Sequence, residues 1–141
     1  MKKFILTLLF GGLVMTSTFA ETAVVFFSAT GSTEKMAKSL ASEMGADLFE
    51  IVPEHKYTSA DLNWHDKKSL TTIECNDPKC RPAIKAVVQA DGKTAFDISE
   101  YDSVVICYPI WWAYAPKIVY TFVESQKWDG KKNGYALHQW R

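Results

Sequence analysis

An α/β domain with a parallel sheet covered on both faces is what this sequence predicts, and three observations predict it. The apolar run Ala23-Val24-Val25-Phe26-Phe27 empties into Ser28-Ala29-Thr30-Gly31-Ser32-Thr33 where a helical pattern begins. A second near-continuous apolar run, Ser103 to Tyr108, opens into the aromatic stretch Pro109-Ile110-Trp111-Trp112-Ala113-Tyr114-Ala115-Pro116. Helical and strand periodicities alternate between these runs, as in βαβ units.

The first expected strand therefore covers residues 23–27. Its helix follows from Glu34 to Met44, where Met36, Ala37, Leu40, Ala41 and Met44 recur at helical spacing and Lys35, Lys38, Ser39 and Glu43 take the other side. Gly45 stops it, and Asp47 to Val52 reads as a second strand. Pro53 to Pro82 is polar and reads as a long surface connection, either functional or an ordered excursion with a short helical turn. Pro82 is placed as the first residue of a helix to about Ala90, with Ala83, Ile84, Val87 and Val88 on its apolar side and Asp91-Gly92 as its end. Ser103 to Tyr108 is the third strand. A further helix from Pro116 to about Gln126 packs through Ile118, Val119, Phe122 and Val123.

At 141 residues, 48% hydrophobic and 13% aromatic, the chain suffices for one globular domain and is not disordered. Met1-Lys2-Lys3, the apolar run Phe4 to Met15 and the small residues of Thr18-Phe19-Ala20 together read as a secretory signal peptide over residues 1–20, cut after Ala20. The domain then occupies residues 21–141, exported to the periplasm or secreted. Loss of Lys2 and Lys3, and of no acid, takes the 16 basic residues to 14 against 16 acidic, a formal charge of −2. With its lysines scattered, such a chain has no basic stripe for nucleic acid, and nothing marks a membrane partner once the leader is gone.

The turn after the first strand is chemically specific. A helix start leaves backbone N–H groups without intrahelical partners and carries about half a positive charge, so it favours a phosphate. Ser28, Thr30, Ser32 and Thr33 add hydroxyls, and Gly31 permits a positive φ and close approach. The plain alternative is a Ser/Thr-rich turn capped by Thr30 or Ser32. No Gly-Lys-Ser/Thr follows and the three-glycine dinucleotide pattern is missing, so a mononucleotide is favoured. Of Trp111 and Trp112, one ring packed and one at a ligand is the expected division, with no basis for saying which.

Other candidates are weaker. His55, His65 and His138 read as surface residues, and Glu74, Asp77 and Glu124 as solvated charges. Cys75 and Cys80 flank a turn and are either bridged or free, while Cys107 reads as a packed strand residue. No metal-ligand spacing and no catalytic triad can be assembled, so neither catalytic nor metal-binding residues are expected.

Phe26-Phe27-Ser28-Ala29-Thr30-Gly31-Ser32-Thr33, Tyr108-Pro109-Ile110-Trp111-Trp112 and the Asn76-Asp77-Pro78 and Arg81-Pro82-Ala83-Ile84 segments resemble the flavodoxin family, in its bacterial flavodoxin-like branch, from residue 23 to about 130. The resemblance implies a flavodoxin-like doubly wound parallel sheet in the order 2-1-3, with a ligand at the switch point between the first and third strands. It implies FMN as cofactor. Ser28, Ala29, Thr30, Gly31, Ser32 and Thr33 would hold the phosphate, and Tyr108, Pro109, Ile110, Trp111 and Trp112 would border the flavin, with Trp111 or Trp112 stacked on it. The implied function is electron transfer with a redox partner protein or a small acceptor. A reductase passing electrons from NAD(P)H to a quinone is the alternative, and an inactive fragment a third.

After Lys132 the family pattern continues with further strands and helices, whereas this chain gives Asn133 to Arg141. The expectation is a chain cut short, with the family's fourth and fifth strands largely missing and at most a short fourth strand over Tyr135 to Trp140.

Overall fold

β1 (Thr22–Phe26) lies in the middle of the sheet because both sides of it find a layer to bury against. The computed structural model describes residues 21–131 and the backbone of 136–139. Ala23, Val24 and Val25 are each 0% exposed, which a strand open on either face could not achieve. Val24 and Phe26 pack with Ala37 and Ala41 of α1 (Ser32–Met44). Ala23 and Val25 point the other way, into a larger core with Phe49, Ile118 and Phe122. The continuous apolar run is thus two interleaved faces, each buried.

The remaining elements follow in the order β2 (Asp47–Pro53), α2 (Leu70–Asn76), β3 (Ile84–Val88), β4 (Ser103–Pro109), α3 (Lys117–Ser125) and β5 (Ala136–Gln139). They form one sheet in the spatial order β3-β2-β1-β4-β5. β1 pairs in parallel with β2 on one side and with β4 on the other, so the expected 2-1-3 arrangement holds for the strands at residues 23–27, 47–52 and 103–108. β5 adds a further parallel strand beside β4, within the segment expected to give a short fourth one. α1 ends at Gly45, whose φ of 61° closes the helix in the left-handed region.

The expected helix over Pro82 to Ala90 is overturned. Ile84–Val88 is a strand, antiparallel to β2, with Ile51 opposite Val87 and Glu50 opposite Val88. Ile84, Val87 and Val88 satisfy helical spacing, but they are β-branched and sit next to the open edge of β2. Pairing there satisfies β2's outward N–H and C=O groups, which no helix could do. Asp91-Gly92 is accordingly a hairpin tip, not a helix stop. Gln89 N–H donates to Thr94 O at 2.9 Å, and the Asp91 carboxylate accepts the N–H groups of Lys93 and Thr94.

The long connection is ordered at both ends. Ser69 caps α2, its Oγ accepting the Thr72 N–H, and Ser69, Thr71, Thr72 and Glu74 are buried. Arg81 donates two hydrogen bonds of 2.7 Å to the Glu124 carboxylate and lies over the Tyr120 ring, tying the entry to β3 onto α3. No helix among the described residues is long and apolar enough to cross a membrane.

Candidate functional site

β1 and β4 are neighbours in parallel register, Phe26 beside Cys107, and the Phe27 N–H extends the pairing by donating to Cys107 O at 3.0 Å. Parallel neighbours end on the same rim. The Ser28–Thr33 turn and the Tyr108–Trp112 segment therefore open together at the carboxyl edge of the sheet, where an open α/β sheet takes its ligands. A direct contact joins them: the rings of Phe27 and Trp111 meet edge to face, 5.8 Å between centroids.

The first turn is built as an open helix start. Ser28 Oγ accepts the Gly31 N–H at 3.0 Å, Gly31 has φ 91°, and α1 begins at the next residue. The cap residue is this glycine, so no side-chain oxygen is available for the N–H groups of the first turn. Thr30 and Ser32 are exposed and do not cap the helix, which removes the reading of an ordinary capped turn. Lys35 N–H is the first to find a helical acceptor, Gly31 O. Thr33 is buried at 2% exposure and packs inward; Ser28, Ala29 and Gly31 are half-buried.

The second segment is strained. Trp111 and Tyr114 form an isolated antiparallel bridge, and the two residues between them, Trp112 (φ 48°) and Ala113 (φ 67°), lie in the left-handed region. This is the two-residue hairpin turn that ordinarily needs Asn-Gly or Gly-Gly. Each non-glycine residue held there costs about 1–3 kcal/mol, and such outliers gather at functional sites. The turn divides the indoles. Trp111 is half-buried against Phe27 and Tyr57, while Trp112 is 41% exposed at the tip, with Ile110 and Tyr114 exposed beside it. Tyr108 and Pro109 end β4 and are half-buried.

Tyr57 was not among the expected site residues. It is buried, and its ring packs edge to face on both Phe27 and Trp111, at 5.8 and 5.6 Å. With Phe27, Ser28, Ala29, Val52 and Lys56 it lines a cavity of about 260 Å³ on the β2 side of the first turn. The long polar connection thus supplies an aromatic wall. Only its apolar character amid Glu54, His55, Lys56 and Thr58 marks Tyr57 in the sequence.

Glu74 corrects another expectation. It is 7% exposed, not solvated, and accepts a 2.9 Å hydrogen bond from Tyr57 Oη. Burial raises its pKa, with the Tyr57 hydrogen bond and His55 acting against that rise. Burial and the adjacent Glu74 raise the Tyr57 phenol in turn, keeping it a neutral donor. His55 and His65 are exposed, and His55 Nε2 lies 3.0 Å from Asp61 Oδ2; His138 falls where no side chain is described. Cys75 and Cys80 are free thiols, and burial pushes Cys75 up to about 11. Cys107, fully buried in β4, is likewise pushed up to about 11 by burial. Among the described residues no group of His, Cys, Asp and Glu could hold a metal ion.

The family model for flavodoxin matches residues 21–133. A protein from Bacteroides eggerthii DSM 20697, assigned as a flavoprotein, is 42% identical; the match covers 87% of this chain and 74% of that one, with a TM-score of 0.75. A second such protein, from Bacteroides uniformis ATCC 8492, is 40% identical over 86% of this chain and 74% of that one, with a TM-score of 0.74. A flavoprotein from Lactobacillus acidophilus NCFM, solved in complex with FMN, shares the fold at 22% identity and a TM-score of 0.61, covering 85% of this chain and 74% of that one. No curated protein matches the chain. With that family model spanning most of its length and two solved relatives at 40% identity or more, this chain belongs to the flavodoxin family.

Proposed function

We propose that the chain binds FMN between the Ser28–Thr33 turn and the Tyr108–Trp112 segment and serves as an electron-transfer protein. One observation carries the reading: an uncapped helix start and a strained, indole-bearing turn leave adjacent parallel strands and touch through Phe27 and Trp111. The residues fit the cofactor. The open N–H groups at the start of α1, with Ser28, Thr30 and Ser32 around them, suit a phosphate, and Ala29 and Gly31 let it approach. Trp112 is the ring free to stack on a flavin; Trp111 is engaged with its own neighbours. That an FMN complex is known for a protein of the same fold supports the choice of cofactor.

FMN, when bound, supplies the electron chemistry, and the protein supplies placement and environment. The apolar Trp112 ring disfavours added negative charge beside it and so lowers the reduction potential of a flavin it covers. No side chain has to act as nucleophile or general base. Exchange with a redox protein or a small acceptor, and export through the leader over residues 1–20, belong to the same proposal and rest on the sequence.

A reductase using NAD(P)H remains the second reading, favoured by the cavity that Tyr57 and Lys56 line next to the first turn. Titration of the purified chain with FMN, followed by fluorescence quenching, tests the binding. NADPH oxidation with a quinone then separates the two readings: turnover selects the reductase, and binding without turnover selects the carrier.

A further inference from the structure

A buried carboxyl stands one side chain away from the candidate site. Glu74, on α2, is 7% exposed and receives the Tyr57 hydroxyl at 2.9 Å; Tyr57 in turn lines the cavity beside Ser28 and Ala29 and packs on Trp111. Resting on the flavin reading above, we propose that Glu74 makes flavin binding proton-linked: neutral, it admits the anionic cofactor; ionised, its charge opposes it.

The surroundings set the direction of this linkage. From the connection after β2, Asp61 raises the Glu74 pKa and His55, charged only when protonated, lowers it, while Tyr57 donates its hydroxyl from the same segment. Cys75 lies next to it on α2 and Cys80 on the turn that follows; Lys117 of α3 faces those two thiols. No cation is hydrogen-bonded to the Glu74 carboxylate among the described residues, so burial governs it and favours the protonated form. Bringing a phosphate and a flavin to the adjoining Ser28–Thr33 turn adds negative charge nearby and favours that form further. Binding therefore shifts the Glu74 titration to higher pH and, between its free and bound midpoints, takes up a fraction of a proton from solvent onto the carboxylate. Affinity falls as pH rises through the titration of Glu74.

The Tyr57 hydrogen bond stabilises the ionised carboxylate, so its removal shifts the titration to higher pH. The test is the FMN dissociation constant, by fluorescence quenching, for the native chain, Glu74→Gln and Tyr57→Phe from pH 5 to 9. Glutamine keeps an acceptor for Tyr57 and cannot ionise, and comparison against it cancels the titration of the FMN phosphate itself. Native and Glu74→Gln proteins are expected to agree at the acid end and to diverge by about five-fold at the alkaline end, the native chain being weaker. Tyr57→Phe is expected to move the divergence to higher pH. Near-UV circular dichroism of the ligand-free proteins gives a second readout: a pH-dependent change in the Tyr57 and Trp111 signal in the native chain, absent in Glu74→Gln. Parallel native and Glu74→Gln binding curves would overturn this proposal while leaving the flavin reading intact. Lack of quenching by the native chain at every pH would overturn both.

Discussion

Trp111 and Tyr114 exchange two backbone hydrogen bonds, each 2.9 Å, and by closing that ring hold Trp112 and Ala113 at positive φ. The strain has a use, because it lifts one indole to the tip while the other stays packed. Ala113 is exposed and carries only a methyl group, so Ala113→Gly is expected to stabilise the protein by about 1 kcal/mol. A rise in the urea midpoint at unchanged slope checks it.

The two tryptophans should separate cleanly under mutation. Trp111→Ala removes a half-buried ring that touches Phe27 and Tyr57, and is expected to cost about 2–4 kcal/mol of stability. Trp112→Ala removes an exposed ring and should leave the melting transition nearly unchanged while weakening FMN binding roughly 10- to 100-fold, the worth of one aromatic stack. Denaturation and fluorescence titration of both variants decide the assignment; equal loss of FMN affinity with stability intact in Trp111→Ala would reverse it.

How far these features were legible in the sequence differed from element to element, for physical reasons. β1 and β4 could be read because burial on both faces leaves an unbroken apolar run, and α1 because its stripe spans three turns and ends on a glycine. β3 could not: in Ile84-Lys85-Ala86-Val87-Val88 the apolar residues fit a helix as well as a strand over so short a span. Only the open edge of β2, a tertiary fact, decides between them. The same limit hid Glu74, since α2 buries Thr71, Thr72 and Glu74 and so carries no apolar stripe to announce its inner face. The phosphate turn was legible as a motif. Which indole faces outward was not, because that depends on two φ angles that no propensity would assign to tryptophan and alanine.

Gly31 carries the first turn of the site. Nothing lies within 4 Å of where a Cβ would sit, so Gly31→Ala meets no clash within the chain, and its effect on stability comes from holding φ at 91°. The expected cost is about 1–2 kcal/mol of stability. A larger relative effect is expected on FMN affinity if the chain escapes the strain by rotating the N–H groups of the helix start away from the phosphate. Parallel measurement of the thermal midpoint and the FMN dissociation constant distinguishes strain that is absorbed from strain that is relieved by turning the loop.

Asp61 gives a pH dependence of opposite origin to that of Glu74. Its carboxylate accepts the Thr58 N–H and hydroxyl, both at 2.8 Å, and the His55 ring, and these hold it down to about 2. A carboxyl depressed in the folded state contributes stability above its unfolded pKa of about 4 and loses it as pH falls from there toward 2. The thermal midpoint of the native chain is therefore expected to drop across that window, and that of Asp61→Asn to start lower and drop less. Because the leading contribution is a backbone hydrogen bond and not a long-range charge, added salt should leave most of the difference in place. Loss of the difference in 0.5 M salt would assign it instead to the His55 ion pair.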